Sequence, residues 1–456
     1  MSSLFGLLHL GSNALQAQNA GIAVTANNVA NAGTPGYSRQ RIDLESLTGG
    51  TNLAGGVHAR GVDRLSSDLL AGRIRNNASS VSVADGFAGA LVDLESQMTA
   101  GGDLSGMVAG FFSSLGQVSA APTDVNLRDG AVHAAQALTA GLHQQAAAVT
   151  GARVQSNQRI RDNLTQANQY IRDIAAANRE IGISDDPVLK DRRDVASQKL
   201  AELVGGTARI DPDGQMRVTL TGGAVLVDGI RAARLESSPD PALGNMDRID
   251  VVDGNDHRDV TSSFDGGRVG GELRMRDETA PTALAQLDQL AFDITTRVND
   301  IHRQNAGTDG VSGRDLFVQP TLVAGAAAAM AVDPGMLADS SRLATGSPGT
   351  GPGDNQGALA LVGLADQPLA DGGRRTFVDA GIEIVAEVGR SASEATSDSE
   401  FFTAQGSQLA GLRDSMSGVS LQEEMSNLSQ FQHAVEAQLQ FITTVDQLLG
   451  SIIQDL

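Results

Sequence analysis

The side chains of this sequence that could do chemistry are its histidines and acidic residues, because the chain contains no cysteine. A chain without cysteine forms no disulfide, offers no thiolate nucleophile and holds no cysteine-ligated zinc. The seven histidines include no His-Glu-x-x-His pair, the helical spacing with which many proteases bind zinc. His433 and Glu436 lie one helical turn apart, and we interpret this pair as part of a solvent-exposed helix face.

Two further segments match ligand-binding loops only in part. Four residues with calcium-type oxygens crowd one segment, namely Asp253, Asn255, Asp256 and Asp259. The segment lacks the glycine and the distal glutamate of an EF-hand, so we expect a hairpin turn there. The glycine-rich segment 346–357 lacks the Gly-Lys-Ser/Thr of a phosphate-binding loop and indicates a flexible linker. Since nothing marks a nucleophile elbow either, the sequence predicts a protein without catalytic residues, cofactor or bound metal.

The chain is strongly acidic, with a net charge of −21 at neutral pH. Such a charge repels phosphate backbones, so we expect no nucleic-acid partner. No stretch is apolar over the roughly 18 residues that would predict insertion into a membrane. Residues 1–38 carry no Asp, Glu, Lys or Arg, and they lack the basic region and cleavage pattern of a secretory signal peptide.

The uncharged N-terminal segment has the period of an amphipathic helix that ends near residues 33–36, where Pro35 and Gly36 favour a turn. One row of apolar side chains advances in alternating steps of four and three residues, and a neighbouring row keeps the same spacing. Two adjacent rows make an apolar face that is wider than one partner helix covers. The packing residues that we select from the first row are Leu4, Leu8, Leu15, Ile22 and Val29.

The C-terminal segment 421–456 has a similar spacing and is predicted to be one long helix. Its packing residues are Leu428, Phe431, Val435, Ile442, Val445, Leu449 and Ile452. Ordering a residue costs about 1–2 kcal/mol of backbone entropy, whereas a buried apolar side chain contributes only about 1.5–3 kcal/mol. Neither terminal helix is therefore stable alone. We expect the packing residues of both helices to be buried, either within one chain or between chains. This pattern is typical of a polymer subunit rather than of a monomeric enzyme.

Between the two ends, apolar spacing predicts further helices and one change of character. The segment 205–275 contains Asp-Gly and Gly-Gly pairs at hairpin spacing and predicts a β insert. The helices are expected near residues 135–149, 160–181 and 281–304, with a strand or turn region within 375–415 that leads into another helix. The predicted fold is mainly α with an inserted β domain, and its long terminal helices pair as a coiled coil. We divide the chain into a terminal domain (1–70 plus 415–456), a helical rod-like domain with short β elements (71–204 plus 276–414) and a β-rich inserted domain (205–275).

At the end of the first predicted helix, the segment Asn27-Asn-Val-Ala-Asn-Ala-Gly-Thr-Pro-Gly-Tyr37 resembles the N-terminal motif of bacterial flagellar axial proteins. The continuation Ser38-Arg39-Gln40 is similar to the flagellar hook-associated protein 1 family in particular. The motif residues are Asn27, Asn28, Asn31, Pro35, Gly36, Tyr37, Arg39 and Gln40. Further patches of the same resemblance lie within 56–75, 299–317, 353–360 and 419–428.

This resemblance implies a structural protein of the flagellum. Members of the family are exported unfolded by the flagellar type III apparatus, with a cytoplasmic chaperone bound near the C-terminal helix. They assemble outside the cell as a thin ring at the hook tip, where the hook protein, the second hook-associated junction protein and copies of the same chain are the partners. Their paired terminal helices line the inner tube. The chain looks shorter than many members, which implies that an outermost domain is reduced or absent.

Two other interpretations stay open at this point. A hook, distal-rod or flagellin-like protein would share the motif, although residues 38–40 and 419–428 favour the hook-associated family. The other is a secreted enzyme or adhesin on an axial scaffold; a metal or nucleophile site within 205–275 would support it, and we find none in the sequence.

The motif residues themselves allow more than one role. The three asparagines either cap a fraying helix end or bridge backbone or neighbouring subunits, since Asn is a poor helix former. Tyr37 is either a local packing anchor or a contact between subunits. Arg39 and Arg41 are expected to be solvated or paired locally with Asp43 or Glu45, with pairing to another subunit as the alternative.

Overall fold

The computed structural model describes residues 2–46 and 56–454, without the side chains of residues 2–5 and 453. Its helices are α1 (Ser2–Ala30), α2 (Asp68–Ala100), α3 (Leu104–Ala120), α4 (Val125–Ile181), α5 (Pro187–Val204), α6 (Gly267–Arg274), α7 (Ala280–Gln304), α8 (Ala326–Ala329), α9 (Pro334–Ala338), α10 (Gln356–Val362), α11 (Phe377–Ser417) and α12 (Leu421–Gln454). Its strands are β1 (Gln40–Ser46), β2 (Val57–Arg64), β3 (Thr207–Ile210), β4 (Met216–Thr219), β5 (Val225–Asp228), β6 (Arg231–Ala232), β7 (Arg234–Asp240), β8 (Met246–Asp253) and β9 (Asp256–Asp259). The predicted class, mainly α with an inserted β part, is confirmed.

The strands form three small antiparallel sheets in which each strand pairs with its neighbour in sequence. β1 and β2 form a hairpin that packs on α1, and Gln40 pairs with Arg64 at its open end. The other two sheets, β3–β6 and β7–β9, lie within the segment predicted to be β-rich. Asp253 and Asp256 face each other across the β8–β9 turn, so this acidic segment is the hairpin turn that we expected.

Two helical boundaries differ from the prediction. The segments 135–149 and 160–181, expected as two helices, belong to the single 57-residue helix α4. The buried face continues between them through Ala152, Ser156 and Asn157, and Gly151 costs a helix only about 1 kcal/mol. The strand or turn region expected from residue 375 is also wrong, because α11 begins at Phe377. Thr376 caps this helix by accepting from the Asp379 amide at 3.1 Å and donating to its carboxylate at 2.8 Å.

Helix α4 runs through two separate cores. The first core lies between α2, α3, α7, the N-terminal half of α4 and the start of α11. The second combines the C-terminal half of α4 with α5, α6 and strands of both β-rich sheets. Among the described residues, neither core includes a side chain of α1 or α12. The division into three domains stays a prediction, and the second core takes in helical residues from outside 205–275.

The irregular segment between α7 and α11 is held on the first core by two buried polar side chains of α7. Asn299 Oδ1 accepts from the backbone amides of Leu316 and Phe317, both at 3.0 Å. His302 Nε2 accepts from the Ala344 amide at 2.9 Å, and its Nδ1 lies 2.8 Å from the Arg314 carbonyl oxygen. Only the neutral imidazole with its proton on Nδ1 satisfies both contacts.

His302 is therefore expected to make the stability of the first core depend on pH. Burial lowers the pKa of His302 below its ordinary 6.5, and the positive charges of Arg314 and Arg128 lower it further. The hydrogen bond to the Arg314 carbonyl and the charge of Asp315 raise the pKa but do not outweigh the burial. The stabilisation is complete above the pKa of the unfolded chain and is lost as the pH falls below it. We expect the urea midpoint to fall between about pH 7.5 and pH 5.5 in the parent chain, and the slope to be smaller in His302→Gln. Equal slopes in the two proteins would contradict this assignment.

Candidate functional site

Helices α1 and α12 form an antiparallel pair, called the terminal pair below, at one end of the molecule. Gly11 faces Ile442 and Gly21 faces Phe431, so the two helices run in opposite directions. A Cβ atom added to Gly21 would lie 2.6 Å from Cε1 of Phe431, and one on Gly11 would lie 2.8 Å from Cγ1 of Ile442. The glycines therefore allow the two backbones to approach closely, and the predicted pairing of the ends is confirmed.

A single chain buries only part of the predicted packing rows. On α1 the buried apolar side chains are Ala14, Ala17 and Val24, and all three belong to the neighbouring row, which consists of Leu7, Leu10, Ala14, Ala17, Gly21 and Val24. The selected residues Leu8, Leu15, Ile22 and Val29 are half-buried, as are Leu428, Phe431, Val435 and Ile442 on α12. Val445 and Leu449 are buried, Ile452 is 39% exposed, and the side chain of Leu4 lies outside the described residues. Small residues of α1 therefore meet large side chains of α12, such as Phe431 and Ile442, and the larger apolar side chains of the first α1 row stay only half-buried.

The motif asparagines have separate roles at the end of α1. The side-chain amide of Asn31 donates to the carbonyl oxygen and to Oδ1 of Asn27, at 3.0 and 2.9 Å. Thr34 Oγ1 donates to Asn31 Oδ1 at 3.2 Å, and the Thr34 amide donates to the Asn31 carbonyl. Asn27 and Asn31 thus close the helix end locally, whereas Asn28 points away from this cap and bridges other elements.

Asn28 is the centre of a buried hydrogen-bond cluster, which we call the polar hub and define as Asn28, Tyr37, Arg39, Gln40 and Glu424. The Asn28 side chain is 1% exposed. Its Nδ2 donates to the Gln40 carbonyl at 2.8 Å and to Glu424 Oε2 at 3.0 Å. Its Oδ1 accepts from the Gln40 amide at 2.9 Å and from the Tyr37 hydroxyl at 2.8 Å. All of its hydrogen-bonding capacity is used, and it joins α1, β1 and α12.

Arg39 connects the motif to the C-terminal helix, which the sequence did not suggest. Its Nε donates to Glu424 Oε1 and its Nη1 to Glu423 Oε2, both at 2.7 Å. The expected local pairing of Arg39 with Asp43 or Glu45 is therefore wrong. Both glutamates lie in the first turn of α12, where the helix dipole favours negative charge. The antiparallel pairing brings that first turn beside the end of α1. Arg41 is exposed to solvent, as expected.

Tyr37 is a local anchor within the hub. Burial raises its pKa to about 12, and the nearby charges of Asp191 and Glu424 add to the increase. The hydroxyl therefore keeps its proton at neutral pH and lies 2.8 Å from Asn28 Oδ1 and 3.0 Å from Asn27 Oδ1. These contacts support the intramolecular interpretation of Tyr37.

The turn before Tyr37 is seated on α5. Gly36 has a φ of +85°, and a Cβ atom there would lie 2.4 Å from Cγ2 of Val195. Pro35 is exposed beside it. The turn therefore needs glycine both for its left-handed backbone and for its approach to α5.

Gly36→Ala is expected to lift the turn away from α5 and to destabilise the protein by about 1–3 kcal/mol, through backbone strain and overlap with Val195. The measurement is hydrogen exchange at the Ser38 amide, which donates to Asp191 at 3.0 Å. The matched control is Gly33→Ala, where a Cβ atom meets nothing within 4 Å. Similar exchange at Ser38 in the two variants would contradict the prediction.

Three charged residues at the base of the site were not singled out by sequence reasoning. Asp191 and Asp194 of α5 receive Arg64 of β2, whose Nη1 lies 3.0 Å from Asp191 Oδ1 and 2.6 Å from Asp194 Oδ2. Burial alone would lower the pKa of Arg64, but the two carboxylates outweigh it and raise the pKa. The spacing of Asp191, Asp194 and Val195 places all three on one face of α5. This spacing could have marked a contact face of α5 in the sequence, but it does not identify Arg64 as the partner of the two carboxylates.

The arrangement holds separate chain segments together through hydrogen bonds and ion pairs. Among the described residues, no group of three or more His, Asp or Glu side chains is placed to hold a metal ion. The described helices also include none with the length and apolar character needed to span a membrane.

Comparisons with known proteins give matches along the whole chain. The family model "Flagellar hook-associated protein FlgK helical domain" matches residues 91–317. Two rod-protein models match the terminal regions, "Flagella basal body rod protein" at 8–37 and "Flagellar basal body rod FlgEFG protein C-terminal" at 413–455. These last two ranges contain most of α1 and the whole described part of α12.

Relatives named flagellar hook-associated protein 1 align with the chain from end to end. The Bacillus subtilis protein is 27% identical, over 99% of this chain and 98% of its own length. The Escherichia coli protein is 23% identical, over 99% of this chain and 100% of its own length. The solved structure of the flagellar hook junction protein FlgK from Burkholderia pseudomallei superposes with a TM-score of 0.70 and 17% identity, covering 76% of this chain and 100% of that one. At this identity the superposition shows a shared fold.

Proposed function

The chain belongs to the flagellar hook-associated protein 1 family, and on this premise we propose that it is a structural subunit of the bacterial flagellum that joins the hook to the filament. The observation that carries the proposal is the terminal pair, whose larger apolar side chains stay partly uncovered in one chain. The polar hub supports it, because it fixes the two chain ends to each other beside the body of the molecule.

Several large apolar side chains of the terminal pair are exposed in the single chain. On α12 they include Leu421, Met425, Leu439, Leu448 and Ile452, which are between 39% and 56% exposed. Leu7 of α1 is 36% exposed. By helical spacing, Leu421, Met425 and Leu439 lie on one side of α12 and Leu448 and Ile452 on the other, so the exposed apolar side chains face more than one direction. The occupants that we propose are other copies of the chain and the neighbouring axial proteins, namely the hook protein and the second hook-associated junction protein. Of the selected packing residues, the half-buried ones and Ile452 would make these contacts, whereas Val445 and Leu449 are already buried within the pair.

The same exposed apolar side chains need a cover in the protein before it assembles. We propose that the chain is exported by the flagellar type III apparatus, that a cytoplasmic chaperone covers α12 until then, and that the protein acts outside the cell without enzymatic activity. The exposed apolar side chains of α12 support the chaperone proposal, since uncovered apolar surface promotes aggregation.

The test is deletion of the gene, followed by complementation with the intact chain. We expect complete hooks without filaments, flagellin released into the medium, and restored filaments after complementation. Loss of the hooks as well would instead support the alternative role as a hook or distal-rod protein. Normal filaments in the deletion strain would contradict both roles.

A further inference from the structure

The terminal pair meets the body, residues 68–417, at two adjacent chain crossings. One crossing is the segment 65–67 between β2 and α2, and the other is 418–420 between α11 and α12. They are tied together through Arg39, whose amide donates to the Ser417 carbonyl at 2.9 Å and whose carbonyl accepts from Leu65 at 2.8 Å. Two neighbouring crossings of this kind define a line about which the terminal pair could rotate as a hinge.

Close apolar packing does not fill the space beside these crossings. A cavity of about 80 Å³ lies between the turn at Gly36, the start of α2, the end of α11 and α5. Its lining mixes apolar side chains, such as Ile74 and Met416, with polar and charged ones, such as Ser67 and Arg75. The angle of the terminal pair is therefore not set by a packed core at this point, and it depends on the contacts with α5.

Beside the contact of Gly36 with Val195, the polar contacts with α5 include a charged cluster with directional hydrogen bonds. Asp191 accepts from the Ser38 amide through Oδ2 at 3.0 Å and from Arg64 through Oδ1 at 3.0 Å. Asp194 accepts from the same guanidinium at 2.6 Å. The side chains of Arg64 and Asp191 are only 8% and 10% exposed. An ion pair shielded from water in this way is stronger and more orienting than one on the surface.

We propose that Arg64, Asp191 and Asp194 form a latch that holds the terminal pair at one angle to the body. Asp191 is its central positioning residue, because it receives both the motif turn, at Ser38, and strand β2, at Arg64. The latch lies directly beside the hinge, because Arg64 immediately precedes the crossing 65–67 and Ser38 immediately precedes Arg39. Resting on the proposed function, the consequence is that every copy presents its uncovered apolar rows in the same direction.

The absence of cysteine allows a direct test in the full-length protein. Spin labels are attached to Ala26→Cys on α1 and Ser393→Cys on α11, both exposed positions, and their separation is measured by pulsed electron resonance. The parent chain is expected to give one narrow distance distribution. Arg64→Gln is expected to broaden it roughly twofold, since the terminal pair then samples more than one orientation. Arg60→Gln, an exposed arginine on the same strand, is the matched control and should leave it narrow.

Two further measurements keep the outcomes distinct. Circular dichroism reports whether Arg64→Gln retains the helical content of the body. If it does not, Asp194→Asn, whose side chain is 24% exposed, replaces it with the same expectation. An unchanged distribution in a folded variant, or a broad one in the parent, overturns the latch. The deletion and complementation experiment decides the proposed function separately, because a chain that restores filaments but shows no latch effect loses only the latch.

Discussion

Asn28→Asp is expected to separate α1 from the start of α12 and to stop filament growth. The substitution keeps the size of the side chain but turns its donor into a second acceptor. That oxygen would lie 2.8 Å from the Gln40 carbonyl and 3.0 Å from the Glu424 carboxylate, the present partners of Nδ2. Leaving one buried polar group unsatisfied costs about 1–3 kcal/mol, and more for a charged group. We therefore expect a loss of about 3 kcal/mol or more in the pairing of the two ends.

The measurements for Asn28→Asp are hydrogen exchange along α1 in the purified chain, and motility in cells that carry only the variant. Asn27→Asp is the matched control, because Asn27 is exposed and its Oδ1 acts as an acceptor for Asn31 and Tyr37. A carboxylate keeps that role, and its charge near the end of α1 costs only about 0.3–1 kcal/mol. The defect of Asn28→Asp should diminish at lower pH, where the new carboxyl takes up a proton. Equal exchange in the two variants would count against the hub.

Val445→Asp is expected to separate α1 from α12 at a second place, about 20 residues along α12 from the polar hub. Val445 is 3% exposed, although most of α12 faces solvent. The substitution removes about 1.5–3 kcal/mol of apolar burial and places a charge where no partner compensates it. Since neither core contains residues of α1 or α12, the body should keep its unfolding midpoint while α1 and α12 lose protection from exchange.

Thr444→Asp is the control for Val445→Asp, because it introduces the same charge one residue away at an exposed position. It should preserve the protection of both terminal helices in the purified chain. Unfolding of the body by Val445→Asp, or full protection of α12 despite it, would show that the terminal pair does not behave as a separate unit.

The terminal helices could be predicted because their signal is local. The apolar spacing over residues 2–30 and 421–454 predicts a helix whatever the rest of the chain contacts. The same spacing could not tell which row meets the partner. The first row was the natural choice, but the buried apolar side chains of α1 are Ala14, Ala17 and Val24 of the neighbouring row, since the interhelical distance is decided by both helices together.

The same distinction applies to the interior. Asp-Gly and Gly-Gly pairs predicted the hairpins of the β-rich segment, because a tight turn depends on a few neighbouring residues. The continuity of α4 was missed, because two of its buried positions between the two predicted helices hold the polar residues Ser156 and Asn157.

The sequence alone determined the long terminal helices, the β insert and the motif at residues 27–40, since all of these depend on residues close together in the chain. Only the tertiary structure decided that Arg39 pairs with Glu424, 385 residues away, and that Arg64 pairs with Asp191. A charged side chain has many candidate partners in an acidic sequence. Which of them it contacts depends on the packing of α1, α5 and α12, and that packing is set by the summed burial of many side chains rather than by any one of them.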